Sequence, residues 1–323
     1  MLFGGVLVNT VYHDIIIVGA GPAGLAAAIY ATRAMSDALA LEQTAVGGQV
    51  ITTTDIDNYP GAPQTNGFEL MQSMEQQARD LGAQIQSDKI SAIEKNPSTQ
   101  LFELRSADDQ TLYTAKAVIY AAGATPRRAG FTNEQKFTGQ GISYCGTCDG
   151  MFYRGKTVFV VGGGNTAVEE ALFLTRFATQ VVMIVRKDHL RASQALIERL
   201  KTNEKVSIRY NTSIVAVHGE QLLTSIDFKD EKTAEISAQS FDEGSCGIFV
   251  FTGQTPASEA VKGLVELTDA GAIKTDVRLQ TKTAGLFAAG DVRDTPLRQI
   301  ITAAADGALA ASGAAAYVGS RME

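Results

Sequence analysis

The segment DIIIVGAGPAG at residues 14–24 decides the fold of this chain. An acidic residue followed by four consecutive apolar ones, at residues 15–18, is the pattern of a buried strand. An alanine-rich stretch from Pro22 to Met35 predicts the helix that follows. The glycines between them make a tight turn, admit a pyrophosphate to the backbone N–H groups and let the helix pack on the strand. The segment therefore predicts a βαβ unit that binds a dinucleotide.

The end of the next predicted strand carries Glu42, 23 residues after Gly19. A carboxylate at this position accepts hydrogen bonds from a ribose diol and repels a 2′-phosphate. The first unit therefore suits a nucleotide with a free ribose.

The strand, turn and helix recur in the second half of the chain. Residues 158–161 predict a strand and residues 166–177 a helix, with the turn GGGNTA between them at residues 162–167. Ala167 takes the third glycine position, which this fingerprint permits. The chain therefore contains two dinucleotide-binding units.

The second unit lacks an acid at the position that corresponds to Glu42, where Val185 stands. The bases Arg186, Lys187 and Arg191 follow directly, and cations at this strand end pair with a 2′-phosphate. The cluster predicts NADPH as the nucleotide, with NADH as the alternative because Asp188 lies among the bases.

Two further apolar runs indicate how the units are connected. Residues 118–123 predict a strand that leaves the first unit, and residues 248–251 predict the strand that returns to it. The predicted fold is α/β, with two Rossmann-like dinucleotide-binding domains, the second inserted into the first. The first domain would comprise residues 1–127 and 254–323, ending in an alanine-rich helix, and the second would comprise residues 128–253.

The pair Cys145 and Cys148, followed by Asp149, is the predicted chemical centre. Two cysteines separated by two residues form a small redox-active ring, and a neighbouring carboxyl group can carry the proton that thiolate chemistry moves. A zinc site is the alternative, but Cys246 and the three histidines lack paired ligand spacing. We expect no metal.

Composition limits the classes of partner. The 323 residues carry a net charge of -7, with no long run of either sign, which disfavours nucleic acid or an anionic membrane surface as partner. No uninterrupted apolar run reaches ~18 residues, the N-terminus lacks a basic region, and three cysteines do not form an extracellular framework. We expect a cytoplasmic protein.

The ordered set of motifs resembles the low-molecular-weight bacterial thioredoxin reductases. To the motifs above it adds Gly47-Gly48-Gln49, Thr52-Thr53-Thr54 with Asn58, the segment CGTCDG at residues 145–150, and Gly290-Asp291-Val292 with Arg298-Gln299. The likeness runs from about residue 14 to residue 311.

The resemblance implies a homodimer that transfers a hydride from NADPH to FAD, then reduces its own disulfide and finally that of thioredoxin. Cys148 would face the flavin, Cys145 would attack thioredoxin, and Asp149 would exchange protons. It implies a swivelling inserted domain as well. The implied FAD site is Gly19, Gly21, Pro22, Ala23, Gly24, Glu42, Gln43, Gly47, Gly48, Gln49, Asn58, Asp291, Arg298, Gln299 and Ile300. The implied NADPH site is Gly162, Gly163, Gly164, Asn165, Thr166, Arg186, Lys187 and Arg191.

Several related functions stay open at this point. A peroxiredoxin-system flavin reductase, a ferredoxin-dependent reductase and an oxidase of small dithiols share the cysteine spacing, and a flavin-binding sensor would need no turnover. The chain departs from the family pattern at three places. Val185-Arg186-Lys187 replaces a more basic triad, Met151-Phe152 replaces an aromatic pair, and Leu297 stands where an aromatic residue often precedes Arg-Gln.

Overall fold

The computed structural model describes residues 2–3, 6–7, 9–53, 56 and 58–320. Thr54, which belongs to one of the motifs above, lies outside the described residues. The chain forms two compact units, one of residues 1–125 and 255–323 and the other of residues 126–254. The fold is mixed α/β with a parallel-stranded sheet in each unit, which confirms the predicted class.

The first unit contains the predicted strand and helix at its first glycine turn, together with further strands and a second helix that were not predicted from the sequence. Its elements are β1 (Leu2–Phe3), β2 (Val6–Leu7), β3 (Asn9–Val18), α1 (Pro22–Arg33), β4 (Ala38–Glu42), α2 (Gly67–Asp80), β5 (Gln84–Ser87), β6 (Ile90–Lys95), β7 (Phe102–Ser106), β8 (Thr111–Tyr120) and β9 (Ala124–Pro126). Strands β5, β4, β3 and β8 pair in parallel, so the carboxyl ends of β3 and β4 lie at one edge of the sheet. Strands β7 and β6 extend the sheet in antiparallel fashion.

The second unit is inserted after β9. Its elements are β10 (Ile142–Ser143), α3 (Gly146–Asp149), β11 (Thr157–Val161), α4 (Asn165–Leu174), β12 (Gln180–Val185), α5 (Gln194–Lys201), β13 (Val206–Tyr210), β14 (Thr212–His218), β15 (Ser225–Asp230), β16 (Ile236–Ser240) and β17 (Cys246–Val250). Strand β18 (Gln254–Pro256) then leads back to the first unit. A five-stranded parallel sheet has the order β10-β17-β11-β12-β13, and β14 to β16 form a separate antiparallel sheet. Strands β9 and β18, which carry the two connections, pair with each other.

The chain then returns to the first unit with β19 (Leu286–Ala288), which pairs with β8, and α6 (Ile300–Gly319). Short 3₁₀ turns lie at Gly48–Thr52, Gly150–Tyr153, Glu259–Val261 and Gly290–Val292. Helix α6 is the one described helix that is long and apolar enough to cross a membrane by length and composition. Its small residues pack on α1, where a Cβ on Gly307 would overlap the carbonyl oxygen of Ala23. A helix buried in the core of a globular unit can have the same length and apolar composition.

Two predicted helix ends differ from the observed ones for local reasons. Helix α1 ends at Arg33 rather than at Met35, which adopts a left-handed φ of 55°. Helix α4 ends at Leu174 rather than at residue 177. The hydroxyl of Thr175 there donates to the carbonyl oxygen of Leu172 at 2.7 Å and competes with the helical pattern.

Candidate active site

Among the three glycines of the turn after β3, Gly21 is the one with open space beside it. A Cβ on Gly19 would overlap the carbonyl of Ala121, and one on Gly24 would overlap the carbonyl of Gly19, so both are needed by the fold. A Cβ on Gly21 would meet nothing closer than the carbonyl oxygen of Gly47 at 3.9 Å. Gly21 also begins α1, whose N-terminus has no side-chain cap and no acid in its first turn. This turn fits a pyrophosphate held by backbone N–H groups.

Glu42 lies beside this turn and is 7% exposed. Its Oε2 accepts a hydrogen bond of 2.7 Å from the N–H of Ala20, and its Oε1 accepts from the N–H and hydroxyl of Thr44 at 3.0 and 3.1 Å. A carboxylate offers about four acceptor positions, so one is left for a ribose hydroxyl. Gln43 is exposed next to it.

The segment that contains Gly47 and Gly48 packs against the same turn. Gly47 adopts a φ of +110°, and a Cβ there would stand 2.7 Å from Cβ of Met71. A Cβ on Gly48 would stand 3.5 Å from Cα of Gly21. The side-chain amide of the adjacent Gln49 donates to the carbonyl oxygen of Ala124. The structure therefore brings both glycine segments to one place in the first unit.

A buried ion pair fixes the turn that carries Asp291. The carboxylate of Asp306 on α6 accepts from the N–H of Gly290 at 3.0 Å and from two nitrogens of Arg293 at 2.6 and 3.0 Å. A Cβ on Gly290 would lie 3.0 Å from Cβ of Ala23, so the turn adjoins the start of α1. Pro22 occupies the first turn of that helix.

Asp291 and Arg298 form an incompletely paired polar group. Burial raises the pKa of Asp291 to about 6, the charge of Arg298 lowers it, and Asp306 raises it. Among the residues that the structure describes, Nε of Arg298 is buried and has no hydrogen-bond partner. Asn58 donates 3.0 Å to the side chain of Gln299, 241 residues further along the chain. Ile300 packs in the apolar cluster that contains Ala20.

Cys145 and Cys148 form a disulfide across the start of helix α3. Sγ of Cys145 accepts a hydrogen bond of 3.2 Å from the N–H of Cys148 and lies 3.4 Å from Oγ1 of Thr147. Donors at this sulfur would stabilise a thiolate there after reduction. Because both sulfurs are bonded to each other, neither is available to a metal. Among the described residues, no group of three His, Cys, Asp or Glu side chains could hold one.

Asp149 is connected to the cysteines through Ser143. The Ser143 hydroxyl donates 2.7 Å to Oδ2 of Asp149, and it accepts 3.0 Å from the N–H of Cys145. Burial raises the pKa of Asp149, and the hydrogen bond from Ser143 opposes that shift. Ser143 is itself buried at the end of β10.

The glycine turn between β11 and α4 repeats the features of the first one. Gly162 adopts a φ of +148°, and a Cβ there would lie 2.5 Å from the carbonyl oxygen of Phe251. A Cβ on Gly164 would meet no atom within 4 Å, and α4 starts there with no side-chain cap. Gly163 has less space than Gly164, because a Cβ there would lie 3.1 Å from the side chain of Val185. Thr166 lies exposed in the first turn of α4.

The segment with the predicted phosphate-binding bases lies against this turn. The N–H of Arg191 donates 2.7 Å to the carbonyl oxygen of Gly163, and the N–H of Ser193 donates 2.8 Å to the side chain of Asn165. The side chains of Arg186 and Lys187 are exposed at the end of β12. The second unit therefore presents an uncapped helix start with cationic residues beside it.

Comparisons with known proteins agree with this arrangement of disulfide and glycine turns. The family model for pyridine nucleotide-disulphide oxidoreductases matches residues 13–307. A thioredoxin reductase of Peptoclostridium acidaminophilum is 43% identical over 96% of this chain and 98% of its own length. The thioredoxin reductase of Peptoclostridium litorale is 44% identical over 95% of this chain and 97% of its own.

A solved structure gives the same result. The crystal structure of thioredoxin reductase from Streptococcus pyogenes MGAS5005 superposes with a TM-score of 0.85 at 37% identity, over 96% of this chain and 99% of that one. The fold, the disulfide and these matches define a pyridine nucleotide-disulphide oxidoreductase, a class that works with flavin and nicotinamide cofactors. Within that class, the chain belongs to the family of low-molecular-weight thioredoxin reductases.

Sequence patterns did not reveal several residues around these sites. Ser143, Arg293 and Asp306 have no motif of their own. Only the position of Ser143, at the end of a strand and two residues before Cys145, could have drawn attention to it. The others become visible only when the units are folded.

Proposed function

We infer that this chain is a thioredoxin-disulfide reductase, and we propose that NADPH is its electron donor and FAD its flavin. In the overall reaction NADPH, one proton and the disulfide of thioredoxin give NADP⁺ and the dithiol of thioredoxin. The observation that carries the proposal is the Cys145–Cys148 disulfide, held in the same unit as an uncapped nucleotide-binding turn.

Several features of the first unit fit FAD. Gly21 leaves space where a pyrophosphate would approach, and Glu42 keeps an acceptor position for a ribose hydroxyl. Arg298 offers a buried donor without a partner among the described residues. When bound, the nicotinamide would supply two electrons as a hydride to the flavin, which would pass them to the Cys145–Cys148 disulfide. We propose that residues 1–127 and 254–323 hold the flavin and residues 128–253 the nicotinamide nucleotide.

The cysteines accept the two electrons and become a dithiol, with protons taken up by the thiols. We propose that Cys145 then attacks the thioredoxin disulfide, since the Cys148 N–H and the Thr147 hydroxyl lie close enough to stabilise its thiolate. Cys148 would resolve the mixed disulfide by attacking Cys145, which restores the original disulfide and releases reduced thioredoxin.

Asp149 is proposed as the group that moves the proton. A carboxyl group whose pKa is raised by burial holds a proton closer to neutral pH, where it can donate to a departing thiolate. The hydrogen bond from Ser143 lowers the pKa of Asp149 and so opposes the effect of burial. The same hydroxyl connects the carboxylate to the backbone N–H of Cys145.

The preference for NADPH rests on Arg186, Lys187 and Arg191. Arg186 and Arg191 offer forked donors to a 2′-phosphate, and Lys187 adds a point charge. Because Asp188 lies among them, we expect NADH to be used as well, with a higher KM. We also propose a homodimer that works in the cytoplasm and whose inserted domain rotates about the paired strands β9 and β18.

The proposal is tested by anaerobic reduction of the purified protein with NADPH, followed by addition of oxidised thioredoxin. The bound flavin should lose its absorbance with NADPH and regain it with thioredoxin. The same protein assayed with reduced ferredoxin, with an oxidised peroxiredoxin, or with a small dithiol and O₂ should turn over far more slowly. Faster turnover with any of these three would replace thioredoxin reduction by that activity.

A further inference from the structure

A carboxyl group that the proposed mechanism does not use lies against the cysteine helix. Glu170 is on α4, and its Oε2 is buried with no hydrogen-bond partner among the described residues. A Cβ on Gly146, the residue that follows Cys145, would overlap this oxygen. The ring of Phe251 lies 3.6 Å from the same Cβ position.

This arrangement is costly for a charged carboxylate. Burying a carboxylate away from water and from hydrogen-bond donors disfavours the ionised form, so the group tends to hold its proton. A side chain at position 146 would require the carboxyl group of Glu170 to move from this position. The carboxyl group of Glu170 therefore packs directly against the cysteine helix at Gly146.

We propose that Glu170 is a positioning residue for the Cys145–Cys148 pair that acts through its charge. When neutral, it lets a cysteine thiolate form after reduction of the disulfide, and when ionised, it opposes that thiolate. The proposal rests on the pair being the redox centre of the thioredoxin reductase.

Coulomb's law gives the reason for the effect. Two negative charges in a partly buried site repel each other, and the repulsion raises the pKa of the thiol whose ionisation would create the second charge. Burial, with a smaller contribution from the charge of Glu169, raises the pKa of Glu170 to about 7. The group therefore changes charge in the range where the enzyme works, and the two titrations are coupled.

The ionisable groups on the neighbouring elements are few. Glu169 precedes Glu170 on α4, and the cysteine helix α3 contributes Asp149 besides the cysteines. Helix α5, which packs on α4, carries Glu198, Arg199 and Lys201. Strands β11 and β12 carry no ionisable side chain.

The test measures thiol reactivity and needs neither thioredoxin nor NADPH. The holoenzyme is reduced with dithiothreitol and freed of reductant under anaerobic conditions. It is then alkylated with iodoacetamide between pH 5 and 10, and the rate at Cys145 is read by mass spectrometry. In the wild type we expect two steps, because ionisation of Glu170 delays formation of the thiolate.

For Glu170→Gln we expect one step at lower pH, with a rate about threefold higher near pH 8 for each pH unit by which the thiol's pKa falls. At pH 5.5 the rate should equal that of the wild type, because the carboxyl group of Glu170 is then protonated and uncharged, as the Gln side chain is. Glu170→Asp, which keeps the carboxyl group, should retain two steps.

The matched control is Glu169→Gln, the exposed neighbour on the same helix. This variant should keep two steps. The first step should move to lower pH, because loss of the Glu169 charge lowers the pKa of Glu170. Profiles of Glu170→Gln and wild type that superimpose would overturn the proposal. A protein that fails to reduce thioredoxin and still shows the two profiles would contradict the proposed function and leave the role of Glu170 supported.

Discussion

The hydroxyl of Ser143 donates a hydrogen bond of 2.7 Å to Oδ2 of Asp149. A hydrogen bond to the ionised form lowers the pKa of a carboxyl group, here against the raising effect of burial. Ser143→Ala should therefore raise the pKa of Asp149 further and move the alkaline limb of the pH–rate profile, where the proton donor is lost, to higher pH. Since a hydrogen bond to a charged group contributes about 1.5–3 kcal/mol, we expect turnover at pH 7 to fall about tenfold or more.

The control for this variant is Ser245→Ala, which removes a hydroxyl from an exposed loop where it donates to the carbonyl oxygen of Asp242. The pH profile of thioredoxin reduction distinguishes the two variants. An alkaline limb that stays in place in Ser143→Ala would mean that Ser143 does not act on Asp149.

Asp149→Asn should slow the thiol steps by about 10²- to 10⁴-fold, the usual contribution of a general acid or base. Flavin content should be unchanged, since Asp149 lies in the second unit and the proposed flavin site in the first. Rapid-mixing measurements of thioredoxin reduction by the pre-reduced enzyme test this. Loss of flavin in the variant would give Asp149 a structural role.

The first glycine turn provides a matched pair of variants. Gly21→Ala should leave the stability of the flavin-free protein unchanged, because its Cβ would meet no atom closer than 3.9 Å, and should weaken flavin binding. Gly24→Ala should destabilise the first unit, because its Cβ would overlap the carbonyl of Gly19. Thermal unfolding and flavin titration separate the two effects. Normal flavin affinity in Gly21→Ala would place the pyrophosphate elsewhere.

The double variant Arg186→Ala with Lys187→Ala should raise KM for NADPH about 10- to 100-fold and leave KM for NADH nearly unchanged. The reason is that charge-assisted hydrogen bonds to the 2′-phosphate would be lost, and NADH has no such group. Steady-state kinetics with both nucleotides provide the comparison. Equal effects on the two would mean that these bases are only a solvated surface.

Asp291 should lower the stability of the flavin-free protein at neutral pH. Its pKa rises from 3.8 to about 6 on folding, so the folded state binds the proton more tightly than the unfolded state does. The free energy of unfolding should therefore increase as the pH falls through 6, and the penalty should be fully present above it. Asp291→Asn should add up to about 3 kcal/mol at pH 7.

Denaturant unfolding of flavin-free protein at pH 4.5 and pH 7 measures this effect. The stability difference between Asp291→Asn and wild type should be larger at pH 7. An equal difference at both pH values would show that the charge of Asp291 is not the cause.

The parts of the site that the sequence predicts are those in which neighbouring residues act together. The glycine turn at Gly19 to Gly24 and the Cys145–Cys148 pair are local, so their spacing already defines their geometry. The extra antiparallel strands β6 and β7 were not predicted, because their apolar residues alternate with polar ones and do not form the continuous apolar runs from which the buried parallel strands were recognised.

The contacts between distant residues could not be predicted in this way. Asn58 meets Gln299 only because the returning chain places the start of α6 in the first unit. The packing of Glu170 against Gly146 depends on how α4 lies on α3, a tertiary relationship with no signature in either segment. Such positions are found from burial and unpaired polar atoms rather than from spacing.

Chemical labelling of thiols after reduction by NADPH tests the central claim most directly. The purified protein is treated anaerobically with one equivalent of NADPH, alkylated, and analysed by mass spectrometry of its peptides. We predict a transient loss of flavin colour that returns as the two electrons pass to the disulfide, with label on both Cys145 and Cys148 and none on Cys246, which is buried. Reduction of the flavin without any label on Cys145 and Cys148 would contradict the transfer of electrons to this disulfide.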